Sequence, residues 1–356
     1  MKQVRKDAAT TLSPPPHPEH SPHIVAIGGG HGLYTLLRGL KSYTKNLTAI
    51  VTVADDGGSS GMLRQELGMP APGDIRNCMQ ALSNAEPLMK QLMDYRFSEG
   101  SLAGQSFGNL LLAALNGISS SFDQAVSIMQ QVLSITGQVL PVTADDIQLA
   151  ALFENGSSVV GESKIGKMKK HQNCRIRQVS LLPPNPRPLE AAIEAIQSAD
   201  LILLGPGSLY TSLIPNLLVP GIADAIRQNP VPRLYLANLM TEEGETEGYT
   251  VGDHIKALCA HGGDGLFTAC LVNSAPIPSR FLAQNMTEGA APVVVDKDAI
   301  AALGVELFEY PLVSNSSPQI CHHPASLASW IWAFYESRAM KVFPDYMGRQ
   351  YILESE

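Results

Sequence analysis

Apolar and polar positions along this chain alternate in blocks that are typical of a parallel sheet covered by helices. Short, continuously apolar runs such as residues 24–27 and 201–204 predict strands that are buried on both faces. Between such runs, apolar residues recur every three to four positions, which is the spacing of an amphipathic helix. The pattern therefore predicts an α/β fold: Rossmann-like, with a mostly parallel sheet and helices on both of its faces.

The predicted elements fall into three stretches. The first begins with two strands around one helix and continues with an inserted helical block. Its strands are 24–27 and 47–53, and its helices are 33–42, 72–83, 87–97, 106–118 and 122–133. The middle stretch is a β-hairpin that turns at Asn155-Gly156, followed by one more strand, with the ranges 147–154, 157–162 and 175–182. The last stretch has strands at 201–204, 234–237, 266–272 and 292–295, and helices at 189–198, 221–228, 251–260 and 324–338.

Composition sets the domain organisation. Apolar residues make up 45% of the 356 residues, which is enough for a large buried core. Residues 1–22 form a Pro- and His-rich tail whose polar composition predicts disorder. Residues 23–338 are expected to form a single large Rossmann-like domain, and residues 339–356 a C-terminal tail. The tryptophans Trp330 and Trp332 cannot share one face of the last helix, so at least one is expected to dock a neighbouring element or a second subunit of a homo-oligomer.

Charge and cysteine usage exclude several classes of protein. The net charge is −8, and the densest basic stretch, residues 164–177, is expected to be a solvated loop near the hairpin, so nucleic acid is not an expected partner. The five cysteines are scattered without a C-x-x-C pair, which favours a reducing cytoplasm and neither a disulfide framework nor a zinc site. No apolar run approaches the ~20 residues of a membrane span, so membrane insertion is not expected.

Two strands end in glycine-rich turns, which favours phosphate binding. Glycines let backbone N–H groups approach an anion, and the helix that follows the first turn places its positive end there. The spacing departs from the dinucleotide fingerprint, because Leu33 stands where its last glycine belongs. The candidate phosphate ligands are Gly28, Gly29, Gly30, His31 and Gly32 in the first loop, and Gly205, Gly207, Ser208 and Thr211 in the second.

Acidic and amide side chains follow neighbouring strands and helix starts. Asp55 and Asp56 end the second strand, where a carboxylate can accept a ribose hydroxyl, or the two together can hold Mg²⁺ against a diphosphate. Arg76 suits forked anion contacts as well as a structural ion pair. The candidates for ribose, base or sugar recognition are Asp55, Asp56, Ser59, Ser60, Arg76, Asn77, Asn109, Asn238 and Thr241. There is no catalytic nucleophile motif and no Walker lysine, so no catalytic residue is assigned.

Six strings, in order along most of the chain, resemble one superfamily. They occupy residues 28–33, 53–61, 72–77, 106–110, 204–212 and 238–241, and they look like the bacterial gluconeogenesis-factor (YvcK-type) family of the 2-phospho-L-lactate transferase (CofD-like) superfamily. The resemblance implies a cytoplasmic protein that binds a UDP-sugar such as UDP-N-acetylglucosamine, needs no cofactor, and supports cell shape and wall synthesis on gluconeogenic carbon. The transferase branch implies instead a Mg²⁺-dependent enzyme that uses a nucleotide-diphosphate donor.

Two departures from the family pattern bear on the ligand. This chain has Asn285 where the family tends to carry a Tyr, and Cys321 where it tends to carry an Arg. If those family side chains help hold the nucleotide-sugar, this protein is expected to bind it more weakly or to prefer another ligand. Two other hypotheses stay open: a nicotinamide-dependent oxidoreductase, which Leu33 disfavours, and an interaction protein that uses the tail or the last helix.

Overall fold

The computed structural model of the protein describes residues 21–282, 289–314 and 320–342. The predicted N-terminal tail therefore lies almost wholly outside the described residues, as does Asn285. The C-terminal tail was predicted to begin at residue 339, but the last helix continues to Val342.

A seven-stranded parallel sheet forms the centre of the molecule. Its strand order is β10-β9-β8-β7-β1-β2-β3. The central strands are apolar, and β1, β2 and β7 are buried along their whole length, as expected of strands covered by helices on both faces. Together with β4, β5 and β6, which lie outside this sheet, the strands in chain order are β1 (Ile24–Gly28), β2 (Leu47–Val51), β3 (Gln138–Pro141), β4 (Gln148–Phe153), β5 (Ser158–Val160), β6 (Ile176–Leu182), β7 (Leu201–Leu204), β8 (Arg233–Leu236), β9 (Ala269–Asn273) and β10 (Glu306–Tyr310).

Helices follow the strands and also form the predicted inserted block. In chain order they are α1 (Gly30–Leu40), α2 (Gly58–Leu67), α3 (Gly73–Leu82), α4 (Pro87–Asp94), α5 (Phe107–Ile118), α6 (Phe122–Val132), α7 (Glu162–Gln172), α8 (Glu190–Gln197), α9 (Ile214–Leu217), α10 (Ile222–Gln228), α11 (Val251–Gly262), α12 (Lys297–Ala302) and α13 (Pro324–Val342). No single helix among these described residues is long and apolar enough to cross a membrane.

A small antiparallel sheet with the order β5-β4-β6 confirms the predicted hairpin and its third strand. The residues that follow correct one prediction, since the basic stretch 164–177 is not a loop. Its first part is the helix α7, in which Lys169 is buried and pairs with Glu247. The helix brings its N-terminal end towards the end of β2, where Asp56 accepts a hydrogen bond from the Ser163 backbone.

The strand predictions were incomplete in two ways. The sequence analysis missed both edge strands of the large sheet: β3, whose first residue, Gln138, is exposed, and β10, in which Glu306 and Glu309 are exposed. Conversely, residues 292–295 form only isolated bridges, Pro292 to Met240 and Val294 to Thr250. An edge strand that pairs on one side has a weaker apolar pattern than a central one, whereas a short apolar run can cover a cleft without joining a ladder.

The last helix docks through both of its tryptophans, as predicted for at least one of them. Trp330 packs against Phe308 of β10, with ring centroids 5.2 Å apart. Trp332 is buried beside Tyr43 and donates a hydrogen bond of 2.7 Å to Glu336. Both contacts lie within the chain.

The strand order reverses between β1 and β7. From β1 the chain moves through β2 to β3 on one side, and β7, β8, β9 and β10 follow on the other. The carboxyl ends of these two strands therefore mark the crevice in which ligands of open α/β sheets bind.

Candidate functional site

The two predicted glycine loops meet in this crevice and touch one another. A Cβ placed on Gly32 would lie 2.4 Å from the backbone oxygen of Pro206, and one on Gly207 would lie 3.1 Å from the oxygen of Gly29. Only glycine permits so close an approach of the two backbones. The loops therefore form one joint cradle rather than two separate ones.

Asn238, at the end of β8, fixes the second loop of this cradle. Its Nδ2 donates to the Gly207 carbonyl at 2.9 Å, and its Oδ1 accepts from the Gly207 N–H at 3.2 Å. The side chain thus positions the loop with both ends of its amide. Beside it opens a cleft of about 190 Å³, called here the cradle cleft, which is lined by His31, Gly32, Thr35, Pro206, Gly207, Ser208, Asn238, Leu239, Met240, Ile320, Cys321 and His322.

A second, more apolar cleft adjoins the cradle cleft at the ends of β8 and β9. It has a volume of about 370 Å³ and shares Asn238 and Leu239 with the first. We call it the apolar cleft; its other walls are Val251, Val272, Asn273, Ala275, Pro276, Ile277, Leu282, Pro292, Val293 and Val295. A polar cradle that adjoins an apolar slot suits a ligand with an anionic part and a flat, weakly polar part.

The positive end of α1 is already engaged by a carboxylate that was not among the predicted site residues. Asp74, in the first turn of α3, accepts a hydrogen bond from the Gly30 backbone. A Cβ on Gly29 would lie 2.4 Å from the Asp74 Oδ2. Burial and the neighbouring Asp55 raise the pKa of Asp74 to about 6. An anion bound at Gly30 would therefore lie next to this carboxylate.

The remaining predicted polar residues form a separate pocket of about 290 Å³ among the N-terminal ends of α2, α3 and α5. Its lining consists of Asp55, Gly57, Gly58, Ser59, Ser60, Gly73, Asp74, Arg76, Arg96, Asn77 and Asn109. We call it the three-helix pocket. The predicted site residues are therefore brought to one end of the sheet, but they are divided between two places.

Ser59 connects the walls of the three-helix pocket. Its hydroxyl donates to Gln105 Oε1 at 2.5 Å and accepts from the Ser106 N–H and from Asn109 Nδ2, at 3.3 and 3.1 Å. Arg76 donates to the Asn77 Oδ1 at 2.6 Å. The Ser59 contacts join α2 to the start of α5, whereas the contact between Arg76 and Asn77 lies within α3.

Three predicted ligand residues make structural contacts instead. Thr211 donates to the buried carboxylate of Glu245 at 2.8 Å, and Thr241 accepts from the Ala291 N–H at 2.9 Å. Asp56 accepts from the Ser163 N–H at 2.7 Å. Each contact ties the end of the sheet to a neighbouring segment. These hydrogen bonds therefore give the three side chains a role in holding the walls of the site together.

The two carboxylates considered for Mg²⁺ are held by different elements. Asp55 accepts from the Gly57 N–H at 2.8 Å and faces α3, whereas Asp56 faces α7. Asp55 is electrostatically coupled to Asp74, which lies beside it. In the described parts of the chain, no three His, Cys, Asp or Glu residues are grouped to hold a metal ion. Mg²⁺ is often bound by only one or two carboxylates together with substrate phosphates. Asp55 and Asp74 are two neighbouring carboxyl groups of this kind.

His322 is a candidate that sequence reasoning missed. It lines the cradle cleft, is only 6% exposed, and its ring donates to the Ala237 carbonyl. Its Nε2 has no hydrogen-bond partner within the described residues. Burial lowers the pKa of His322 to about 4, so the ring is neutral at pH 7 and Nε2 is a free acceptor. No local sequence pattern marks this role, because the lining residues other than Ile320 and Cys321 lie at least 82 positions from it along the chain.

Comparisons with known proteins agree with one another. A family profile described as 2-phospho-L-lactate transferase CofD matches residues 24–313. The gluconeogenesis factor of Bacillus subtilis is 46% identical over 309 residues, which cover 86% of this chain and 96% of that protein. A putative gluconeogenesis factor of Thermoanaerobacterium thermosulfurigenes is also 46% identical, over 89% of this chain and 98% of its own length. A crystal structure from Bacillus halodurans superposes with a TM-score of 0.85 at 45% identity and covers 88% of this chain and 100% of that one.

Proposed function

Since this chain belongs to the 2-phospho-L-lactate transferase CofD family and matches relatives named gluconeogenesis factors along most of its length, we propose that it is a nucleotide-sugar-binding regulator. The proposed ligand is UDP-N-acetylglucosamine. The proposed setting is the cytoplasm, where the bound ligand would report on wall precursors and support cell shape during growth on gluconeogenic carbon.

The adjacency of the cradle cleft and the apolar cleft, which share Asn238 and Leu239, is the observation that carries this proposal. The diphosphate would lie over Gly207 and Ser208, whose backbone is fixed by Asn238. The uracil would enter the apolar cleft, and the neutral His322 would accept a hydrogen bond from a ribose or sugar hydroxyl. Cys321 lines the cradle cleft where the family tends to carry Arg, so less positive charge faces the diphosphate.

Thermal unfolding against a ligand panel tests the proposal. The panel is UDP-N-acetylglucosamine, UDP-glucose, GDP, UTP and NADH, each with and without Mg²⁺. A ligand at a hundred times its dissociation constant stabilises the folded state by roughly 2.7 kcal/mol, which is a shift of several degrees. We expect a shift with the UDP-sugars alone; a shift only with NADH would overturn the proposal in favour of an oxidoreductase.

His31→Asp should weaken UDP-N-acetylglucosamine binding by at least ~10-fold while leaving the fold intact. His31 is exposed in the first turn of α1 and lines the cradle cleft, so an added carboxylate would repel the diphosphate. Isothermal titration calorimetry measures the loss. The same substitution at the exposed His171, in α7, is the matched control and should bind like the parent. Equal affinity of both variants would contradict the placement of the diphosphate.

The second candidate function is a Mg²⁺-dependent transferase like the one named in the family description. Asp55 and Asp74 would hold the metal ion, which would supply charge neutralisation for a diphosphate donor. If this function is right, a nucleotide-diphosphate donor is turned over, and the activity is lost on chelation and in Asp55→Asn. Ligand binding that is unaffected by chelation, with no turnover, would exclude it.

A further inference from the structure

The three-helix pocket has features of an anion site. The N-terminal ends of α2 and α3 have no side-chain caps. They adjoin one another, since a Cβ on Gly73 would lie 2.4 Å from the Ser60 Oγ. Backbone N–H groups at uncapped helix ends carry partial positive charge, and two such ends facing one space reinforce each other.

Two guanidinium groups line the same pocket. Arg76 donates to the Met93 carbonyl at 3.2 Å and to Asn77, but its buried Nε has no partner in the described part of the chain. Arg96 is more exposed, at the mouth, and donates to the Gly104 carbonyl. Guanidinium groups form forked hydrogen bonds to phosphate and carboxylate, so the wall offers both charge and directional donors.

Asn109 gives an independent sign that this pocket accommodates a ligand. The residue is only 3% exposed, and its Nδ2 donates to Ser59. Its Oδ1 has no hydrogen-bond partner among the described residues. A buried acceptor without a donor is destabilising, and most native proteins satisfy such groups. Since Oδ1 accepts, the partner it requires is a donor such as a hydroxyl, which an anion alone does not supply.

We propose that the three-helix pocket binds a second small molecule, an organic phosphate that also carries a hydroxyl group. The phosphate lies between the ends of α2 and α3 and the guanidinium groups of Arg76 and Arg96. The hydroxyl donates to Asn109 Oδ1 or to the neighbouring Asp55. This site goes beyond the proposed nucleotide-sugar function, which uses the cradle and apolar clefts.

Size and position separate this ligand from a nucleotide. The pocket has a volume of about 290 Å³, just below the lower limit of about 300–1,000 Å³ typical of sites for drug-sized ligands. It therefore fits a molecule of triose-phosphate size. Asp74 lies in its wall and also accepts from Gly30, so one carboxylate separates the pocket from the cradle. The arrangement lets the two ligands bind together.

Calorimetric titration with glycerol 3-phosphate tests the proposal, with inorganic phosphate and glycerol as comparison probes. Glycerol 3-phosphate should bind at least ~10-fold more tightly than inorganic phosphate, because only it satisfies Asn109, and glycerol should not bind. Asn109→Leu should remove that advantage, and Arg96→Ala should weaken the binding of both phosphate probes.

Arg187→Ala is the matched control, since Arg187 is exposed and pairs with Asp145 elsewhere on the surface. Circular dichroism establishes that each variant is folded. If Asn109→Leu does not fold, Asn109→Asp tests whether the phosphate lies beside this residue, because its added carboxylate should weaken the binding of both phosphate probes.

A titration in saturating UDP-N-acetylglucosamine separates this inference from the proposed function. Unchanged affinity for glycerol 3-phosphate supports a second site. Competition between the two ligands would overturn it, because the pocket would then belong to the nucleotide site. If UDP-N-acetylglucosamine does not bind, the proposed function fails, and glycerol 3-phosphate binding that is sensitive to Asn109 still supports this inference. Failure of glycerol 3-phosphate to outbind inorganic phosphate would contradict it.

Discussion

Gly32→Ala should lower the free energy of unfolding by about 3 kcal/mol and abolish nucleotide-sugar binding. The added methyl group would lie 2.4 Å from the oxygen and 2.7 Å from the carbonyl carbon of Pro206. Both are backbone atoms, so no side chain can rotate away to make room. The first turn of α1 must then move apart from the loop after β7, which opens the cradle on which the proposed diphosphate site depends.

Denaturant unfolding and ligand titration measure the two effects. The matched control is Gly117→Ala in α5, where a Cβ would meet no atom within 4 Å. There alanine should raise stability by about 0.5–1 kcal/mol, because glycine is the weaker helix former. If Gly32→Ala is as stable as the parent protein, the two glycine loops do not touch as described.

The central strands could be predicted from the sequence because their signal is local. β1 and β7 are continuous apolar runs followed by glycine, and both were confirmed. The apolar pattern does not show that these two strands are neighbours at the reversal of strand order, because that depends on which strands pair in the sheet. The start of α1 was predicted three residues late, because Gly30 and Gly32 have low helix propensity. Tertiary contact with the second loop, not propensity, requires these glycines.

Elements with weak local signals were missed. The helix α2 begins Gly-Ser-Ser-Gly, a string that was interpreted as a donor-rich loop. The helix α7 is rich in lysine and exposes most of its surface, so its apolar spacing is poor. Both helices direct their N-terminal ends towards the end of β2 and help build the site. Sequence periodicity reports burial, and these helices are held mainly by polar contacts at their ends.

The residues of the site also differ in how far the sequence reveals them: some are marked by a local pattern, and others depend on contacts between distant parts of the chain. The glycine loops and the residues of the three-helix pocket were found because each follows a strand or begins a helix. Asp74 was not predicted as a site residue, although its partner is Gly30, and His322 was passed over, although its partner is Ala237. Such pairs are set by the folding of the sheet, which a single sequence does not reveal.

The ligand-free protein should become less stable as the pH rises from about 5 to 8, because it holds carboxyl groups that resist ionisation. Burial, and then the charges of Asp55, Asp56, Asp74 and Glu242, raise the pKa of Glu162 to about 8. The folded state therefore keeps a proton that the unfolded state has already lost above about pH 4.5. Stability falls with pH wherever the folded state binds more protons, so the loss extends over this window and ends above pH 8.

Glu162→Gln should remove most of this loss and raise the free energy of unfolding by roughly 2–4 kcal/mol at pH 8, with little effect at pH 4. Denaturant titrations at both pH values, in buffer without divalent cations, measure the difference. Glu247→Gln is a control of opposite sign, because hydrogen bonds from Lys169 and the Gly244 backbone outweigh burial and lower the pKa of Glu247. That variant should lose stability at pH 8.

If both variants respond alike, the effect is one of general net charge. If only Glu162→Gln is stabilising, the acidic groups at the end of β2 repel one another in the ligand-free protein.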